Sequence, residues 1–139
     1  MKKLALSSLL LLLLISCSVN EDEPDTYWKV VNISVNANDW IRYTDNNGLN
    51  PYYACEIPMP EISSYVYSSG VVQAYYVEES PSRFQESLPY VRHYENNTNI
   101  WTTTIDCAYS AGAMTFYVTH SDFANVPPAA MTFRVVLMW

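Results

Sequence analysis

The stretch Trp28-Lys29-Val30-Val31-Asn32-Ile33-Ser34-Val35-Asn36 decides the fold class. Val31, Ile33 and Val35 alternate with Asn32 and Ser34, and a period of two places the three apolar side chains on one face of an extended chain. A helix would scatter them around its axis. The same pattern recurs on both sides of a series of turn residues. Trp40 to Tyr43 reads as extended, Asp45-Asn46-Asn47-Gly48 as a hairpin turn whose Asn and Gly tolerate positive φ, and Tyr52 to Ile57 as a third strand ended by Pro58 and Pro60. Asp45 with Asn47 and Gly48 also echoes a calcium loop, but the later acidic ligands are missing and the turn is the better account.

Farther along, Ile62 to Ser69 reads as a short helix or a turn, with Ile62 and Val66 four apart and Gly70 as its stop. Val71 to Glu78 is strand-like, and Ser80 to Gln85, with Pro81, is loop. Leu88 to Tyr94, Ile100 to Ala108, Met114 to His120 and Met131 to Trp139 complete the series, separated by Glu95 to Asn99, by Ser110-Ala111-Gly112 and by Ser121 to Ala129. Seven to eight short strands at this spacing, with one short helix, predict an all-β domain. We expect a two-sheet antiparallel sandwich with Ig-like or Greek-key connections, with an up-and-down barrel as the alternative.

The N-terminus follows different rules. Met1, Lys2 and Lys3 form a positive start, and Leu4 to Ile15 form an apolar run interrupted only by Ser7 and Ser8, the organisation of an export signal. A membrane-spanning helix needs about 20 apolar residues, and this run is too short before Glu21, Asp22, Glu23 and Asp25 intervene. Leu14-Ile15-Ser16-Cys17 resembles the bacterial lipobox, in which a diacylglyceryl group is placed on the cysteine, the chain is cut before it, and the new amine is acylated. That resemblance implies a signal peptide over 1–16, a lipid on Cys17 with palmitate-type acyl chains, and a membrane as partner through that lipid. Several acyl chains, at about 0.8 kcal/mol per buried methylene, make such an anchor effectively permanent.

Residues 17–26 are polar and acidic and read as a flexible tether, leaving 27–139 as the domain. The acidic run after Cys17 resembles the surface-export signal of Bacteroidetes lipoproteins, although its acids begin four residues after the cysteine. Cleavage before Cys17 would leave 123 residues with five basic and fourteen acidic side chains, a formal net charge of −9. Such a balance repels phosphate backbones and argues against nucleic acid as a partner.

Several short pieces occur in an order that resembles small Bacteroidetes lipoproteins with a single β-sandwich domain. They are Trp28-Lys29-Val30, Trp40, Tyr53 with Glu56-Ile57, Pro60-Glu61-Ile62, Val66-Tyr67, Gly70 before Val71-Val72, Leu88-Pro89-Tyr90, and Thr132-Phe133-Arg134-Val135-Val136. The resemblance implies a fold and a place, an outer-membrane lipoprotein that is surface-exposed or faces the periplasm. It implies no activity.

After Cys17, only Cys55 and Cys107 remain, and in an exported chain an even pair invites a disulfide. Two separately buried thiols are the other reading. His93 and His120 lack the neighbours of a metal site, and His93 shares a strand face only with Glu95. Glu78 and Glu79 are adjacent on a strand and point to opposite faces, so they cannot flank one bond. With no nucleophile elbow or glycine-rich phosphate loop, nothing in the sequence nominates a catalytic constellation, a metal or a cofactor.

Twelve tyrosines and four tryptophans are the remaining signal. In the pairs Tyr52-Tyr53 and Tyr75-Tyr76 one ring faces the core and the other solvent, and Tyr52, Tyr76, Tyr90 and Tyr94 are the candidate ligand-facing rings. The sequence therefore points to a non-enzymatic binding or accessory module at the cell envelope, engaging a glycan or an envelope protein. A structural subunit that pairs through sheet edges is the alternative.

Overall fold

The computed structural model describes residues 26–78 and 84–139. The expected signal peptide, Cys17, the expected tether up to Asp25, Glu79 and the Ser80 to Arg83 part of the expected loop lie outside the described residues. The elements are β1 (Trp28–Val35), a 3-10 turn (Ala37–Asp39), β2 (Ile41–Tyr43), β3 (Tyr52–Met59), helix α1 (Ser64–Ser69), β4 (Val71–Glu78), β5 (Phe84–Ser87), β6 (Tyr90–Glu95), β7 (Ile100–Ser110), β8 (Gly112–His120) and β9 (Met131–Met138).

Two antiparallel sheets face each other as a β-sandwich, one in the order β1-β9-β4-β5 and the other β2-β3-β8-β7-β6. In the larger sheet β6, β7 and β8 follow in succession and β3 lies against β8, the Greek-key relation of one strand beside three joined ones. The long connection from β3 to β6 runs through the other sheet. The last strand, β9, is central in its sheet, with Val135 opposite both Val31 of β1 and Ala74 of β4.

Strand β5 was not among the strands expected. Phe84 and Gln85, read as loop, pair with Glu78 and Val77, and Leu88-Pro89, read as strand, is the corner at which the chain changes sheets. A four-residue edge strand bordered by proline carries almost no periodic signal of its own, and only its pairing with β4 makes it a strand.

Alternation within each strand builds the core. Ile33 and Val35 of β1, Tyr53, Cys55 and Met59 of β3, Ala74 of β4, Ile105 of β7, Met114, Phe116 and Val118 of β8, and Phe133, Val135 and Leu137 of β9 are buried between the sheets. Trp40 closes one end, its indole N–H donating to the Ala129 carbonyl at 3.2 Å. At the other end Ser63 caps α1, its hydroxyl accepting from the Val66 N–H at 3.2 Å, while Ile62 and Val66 are buried. Gly70, in extended backbone conformation, ends that helix, and the position needs glycine because a Cβ there would lie 2.7 Å from the Met138 carbonyl oxygen and 2.8 Å from that of Val66. None of the described helices is long and apolar enough to cross a membrane.

The disulfide reading of Cys55 and Cys107 is corrected. Both face the interior side, but Cys55 of β3 and Cys107 of β7 stand opposite the same residue, Phe116, from the two flanks of β8. Two strand spacings put their Cα atoms about 9.5 Å apart. A disulfide cannot span more than about 7 Å without moving the backbone. Both cysteines are free thiols.

Candidate functional site

The outward face of the five-stranded sheet carries the most developed surface feature. Its basis is the β2–β3 hairpin, whose loop is closed by one carboxylate. Asp45 accepts hydrogen bonds from the backbone N–H of Asn47 (3.0 Å) and Leu49 (2.7 Å) and from Asn50 Nδ2 (2.8 Å). Slight burial pushes the Asp45 carboxyl up, and the hydrogen bonds from Leu49, Asn50 and Asn47 more than offset this, holding it below the usual carboxylate range. Gly48 and Asn50 supply the positive φ angles, +74° and +51°, that turn the chain back. The Asp45 oxygens are thus used within the turn, and among the described residues no three His, Cys, Asp or Glu side chains gather as a metal site.

That hairpin sets Tyr43 directly opposite Tyr52. Their rings stack with centroids 5.7 Å apart and planes 20° apart, and Tyr52 in turn meets Tyr117 of β8 at 6.0 Å and 58°. Three rings from three neighbouring strands therefore form one continuous aromatic shelf. Tyr43 is 45% exposed, and Tyr52 and Tyr117 are half-buried.

Asp106 of β7 stands opposite Tyr117 on the same face. Its carboxyl is pushed up by burial, and none of the described residues gives it a hydrogen bond or an ion pair. A depression of about 530 Å³ runs from Tyr52 past Tyr117, Thr119 and Asp106 to the Leu88-Pro89 corner. A second one, of about 280 Å³, lies on the far side of the same two rings and is bordered by Asp39, Tyr43 and Glu56. A partly desolvated carboxylate with no partner, in a depression walled by aromatic rings, has the character of a ligand site.

Tyr52 alone of the four expected ligand-facing tyrosines belongs to this shelf. Tyr76 points inward, opposite Phe133, and stacks on Tyr90 at 5.9 Å and 16°. Tyr94 lies on the inward side of edge strand β6, stacked on Trp101 at 5.5 Å, with the Arg92 guanidinium 5.3 Å from its ring and paired to Glu78 at 3.3 Å. Tyr76 and Tyr90 pack against the core beside the crossover, whereas Tyr94, 36% exposed, stays at the sheet edge. In the Tyr75-Tyr76 pair it is Tyr75 that faces outward, because Tyr76 shares register with core residue Phe133. Tyr43 and Tyr117 complete the shelf. Tyr117 was legible from the inward alternation of Met114, Phe116 and Val118, whereas nothing local marks Tyr43.

Compared with known families, curated proteins and solved structures, the chain has no match.

The histidines stand apart from the shelf rings. His120 faces inward, its Nδ1 2.9 Å from the Thr103 hydroxyl and its ring edge-on to Tyr53 at 6.4 Å. His93 and Glu95 do share the outward face of β6, exposed and without a hydrogen bond between them. The Cys107 thiol, on the inward side of β7, is pushed up to about 11 by burial and by Asp106, so it is not a thiolate at neutral pH.

Proposed function

We propose that the protein is a glycan-binding module of the cell envelope, anchored through a lipid on Cys17 and without catalytic activity of its own. The observation that carries this reading is the Tyr43–Tyr52–Tyr117 shelf with Asp106 beside it. Flat aromatic faces pack against the C–H faces of sugar rings, while a free carboxylate and the outward hydroxyls of Thr104, Thr115 and Thr119 meet sugar hydroxyls. The shelf offers acceptors and stacking area but no activated nucleophile, which favours binding over reaction.

The arrangement also suits a tether. Tyr27, at the start of the domain, exchanges two backbone hydrogen bonds with Trp139, at the end of the sandwich where Met59 and Gly112 lie. Tyr52 begins the strand that Met59 finishes, so the shelf is about 20 Å farther from the attachment point. A lipid at Cys17 would thus attach to the end of the domain opposite the shelf.

The test is retention of the detergent-purified protein on a glycan array. We expect a polysaccharide ligand whose affinity drops at least tenfold in Tyr52→Ala and in Tyr117→Ala. Retention of no glycan would overturn the reading. Cys17→Ser should move the protein from the membrane to the soluble fraction, and persistence at the membrane would refute the anchor. The second reading, assembly through sheet edges, draws on β1, an eight-residue edge strand beginning at Trp28, which is 69% exposed. Oligomers that grow with concentration in sedimentation would favour it.

A further inference from the structure

We propose that the shelf selects a cationic sugar, an amino sugar with its amine free, and that Asp106 is the counter-ion of that ammonium group. The inference rests on the glycan reading above and adds the charge of the ligand.

Charge on this face of the molecule is one-sided. Register assigns to the outward side Ile41 and Tyr43 of β2, Tyr52, Ala54 and Glu56 of β3, Thr115, Tyr117 and Thr119 of β8, Thr102, Thr104, Asp106 and Ala108 of β7, and Val91, His93 and Glu95 of β6. No lysine or arginine is among them. Arg42 and Arg92 sit on β2 and β6, but they stand opposite Tyr53 and Thr103, on the inward side. The borders of both depressions likewise hold Asp39, Glu56 and Asp106 and no basic group. A uronate, sulfate or phosphate would find no lysine or arginine to pair with in either depression and would be repelled by their carboxylates.

Asp106 is the acidic group best placed to meet a cation. Two other half-buried carboxylates in the domain find cations, Glu61 with Lys29 at 3.2 Å and Glu78 with Arg92 at 3.3 Å. Asp106 is half-buried yet has none; Tyr117 stands opposite it on the neighbouring strand, and Tyr52 lines the same depression. A carboxylate in a depression walled by aromatic rings is chemistry that suits an ammonium group, because the ring quadrupoles and the carboxylate attract the same charge. A neutral hydroxyl would satisfy hydrogen bonding there but leave the charge unpaired.

The experiment compares, by calorimetry on the detergent-purified full chain, oligomers of glucosamine, of N-acetylglucosamine, of galacturonic acid and of lysine. We expect glucosamine oligomers to bind at least tenfold more tightly than their N-acetylated counterparts, with the preference shrinking as salt is raised, and no binding of the uronate. Asp106→Asn, nearly identical in shape, should abolish that preference while leaving the near-ultraviolet circular dichroism unchanged. Should that variant misfold, the salt series on the native chain still decides the matter, since raised salt should weaken the preference and a preference indifferent to salt would overturn the inference. Equal binding of amine and N-acetyl oligomers, or a preference that survives in Asp106→Asn, would overturn the inference and leave the glycan reading standing. Lysine oligomers that match glucosamine oligomers would place the ammonium on a peptide and overturn the sugar assignment. Absence of binding to any oligosaccharide, together with a blank array, would remove both.

Discussion

Phe116 of β8 and Phe133 of β9 lie face to face across the two sheets, ring centroids 3.9 Å apart and planes within 11°, both fully buried. Phe133 also receives the edge of Trp40 at 6.5 Å and the tilted ring of Tyr76 at 6.2 Å, so one side chain joins the closed end of the sandwich to its centre.

Truncating that ring should therefore be costly. Phe133→Ala removes buried area and leaves a cavity that rigid neighbours cannot fill, which costs about 3–5 kcal/mol. A domain of this size has only about 5–15 kcal/mol to lose. Urea denaturation of the variant should show a transition at far lower denaturant, and a midpoint near that of the native protein would contradict the central position assigned to Phe133.

The two thiols make a separate prediction. Mass analysis without reductant should find Cys55 and Cys107 unbridged, and the buried Cys55 should resist alkylation until the protein is denatured. The Cys107 thiol titrates near 11 in the fold, above its ordinary 9.0, because of burial and the neighbouring Asp106. A group raised on folding contributes its full stability below the unfolded value and loses it as pH climbs toward the folded one. Stability should thus fall between about pH 9 and 11 by an amount that disappears in Cys107→Val, and identical pH curves for the two proteins would count against it.

Removing Leu137 to Trp139 should unfold the domain, although only three residues are lost. Leu137 is fully buried, and Trp139 both exchanges backbone hydrogen bonds with Tyr27, at 2.7 and 2.9 Å, and stacks on its ring at 6.4 Å. Because β9 lies between β1 and β4, the deletion strips the end of three strands at once. A truncated protein that melts cooperatively at the native temperature would disprove this.

Two glycines should respond to alanine for different reasons. Gly70→Ala drives a methyl group into two backbone carbonyls, so the end of β9 or of α1 must shift, at about 1–3 kcal/mol. Gly48 has open space around it and only its φ of +74° to lose, roughly 1–2 kcal/mol of left-handed backbone cost. Thermal melts should rank Gly70→Ala at least as damaging, and its cost should be paired with altered amide shifts at Val66 and Met138, whereas shifts from Gly48→Ala should stay within the hairpin loop.

What the sequence by itself determined is everything that period two encodes. Val31, Ile33 and Val35 were read as one inward face and are; the turn at Asp45 was visible in its turn residues, and of the two readings of Ile62 to Ser69, short helix or turn, Ser64 to Ser69 is helical. The readings over residues 1–25 rest on sequence alone. The tertiary structure decided which strands are neighbours. It put β8 between Cys55 and Cys107, gathered Tyr43, Tyr52 and Tyr117 into one shelf with Asp106, turned Tyr76 and Tyr90 toward the core, and made a strand of Phe84 to Ser87. The physical reason is that alternation is a property of one strand and is written locally. Pairing between strands comes instead from burying two whole faces against each other, a long-range term to which every strand contributes and which no single segment records.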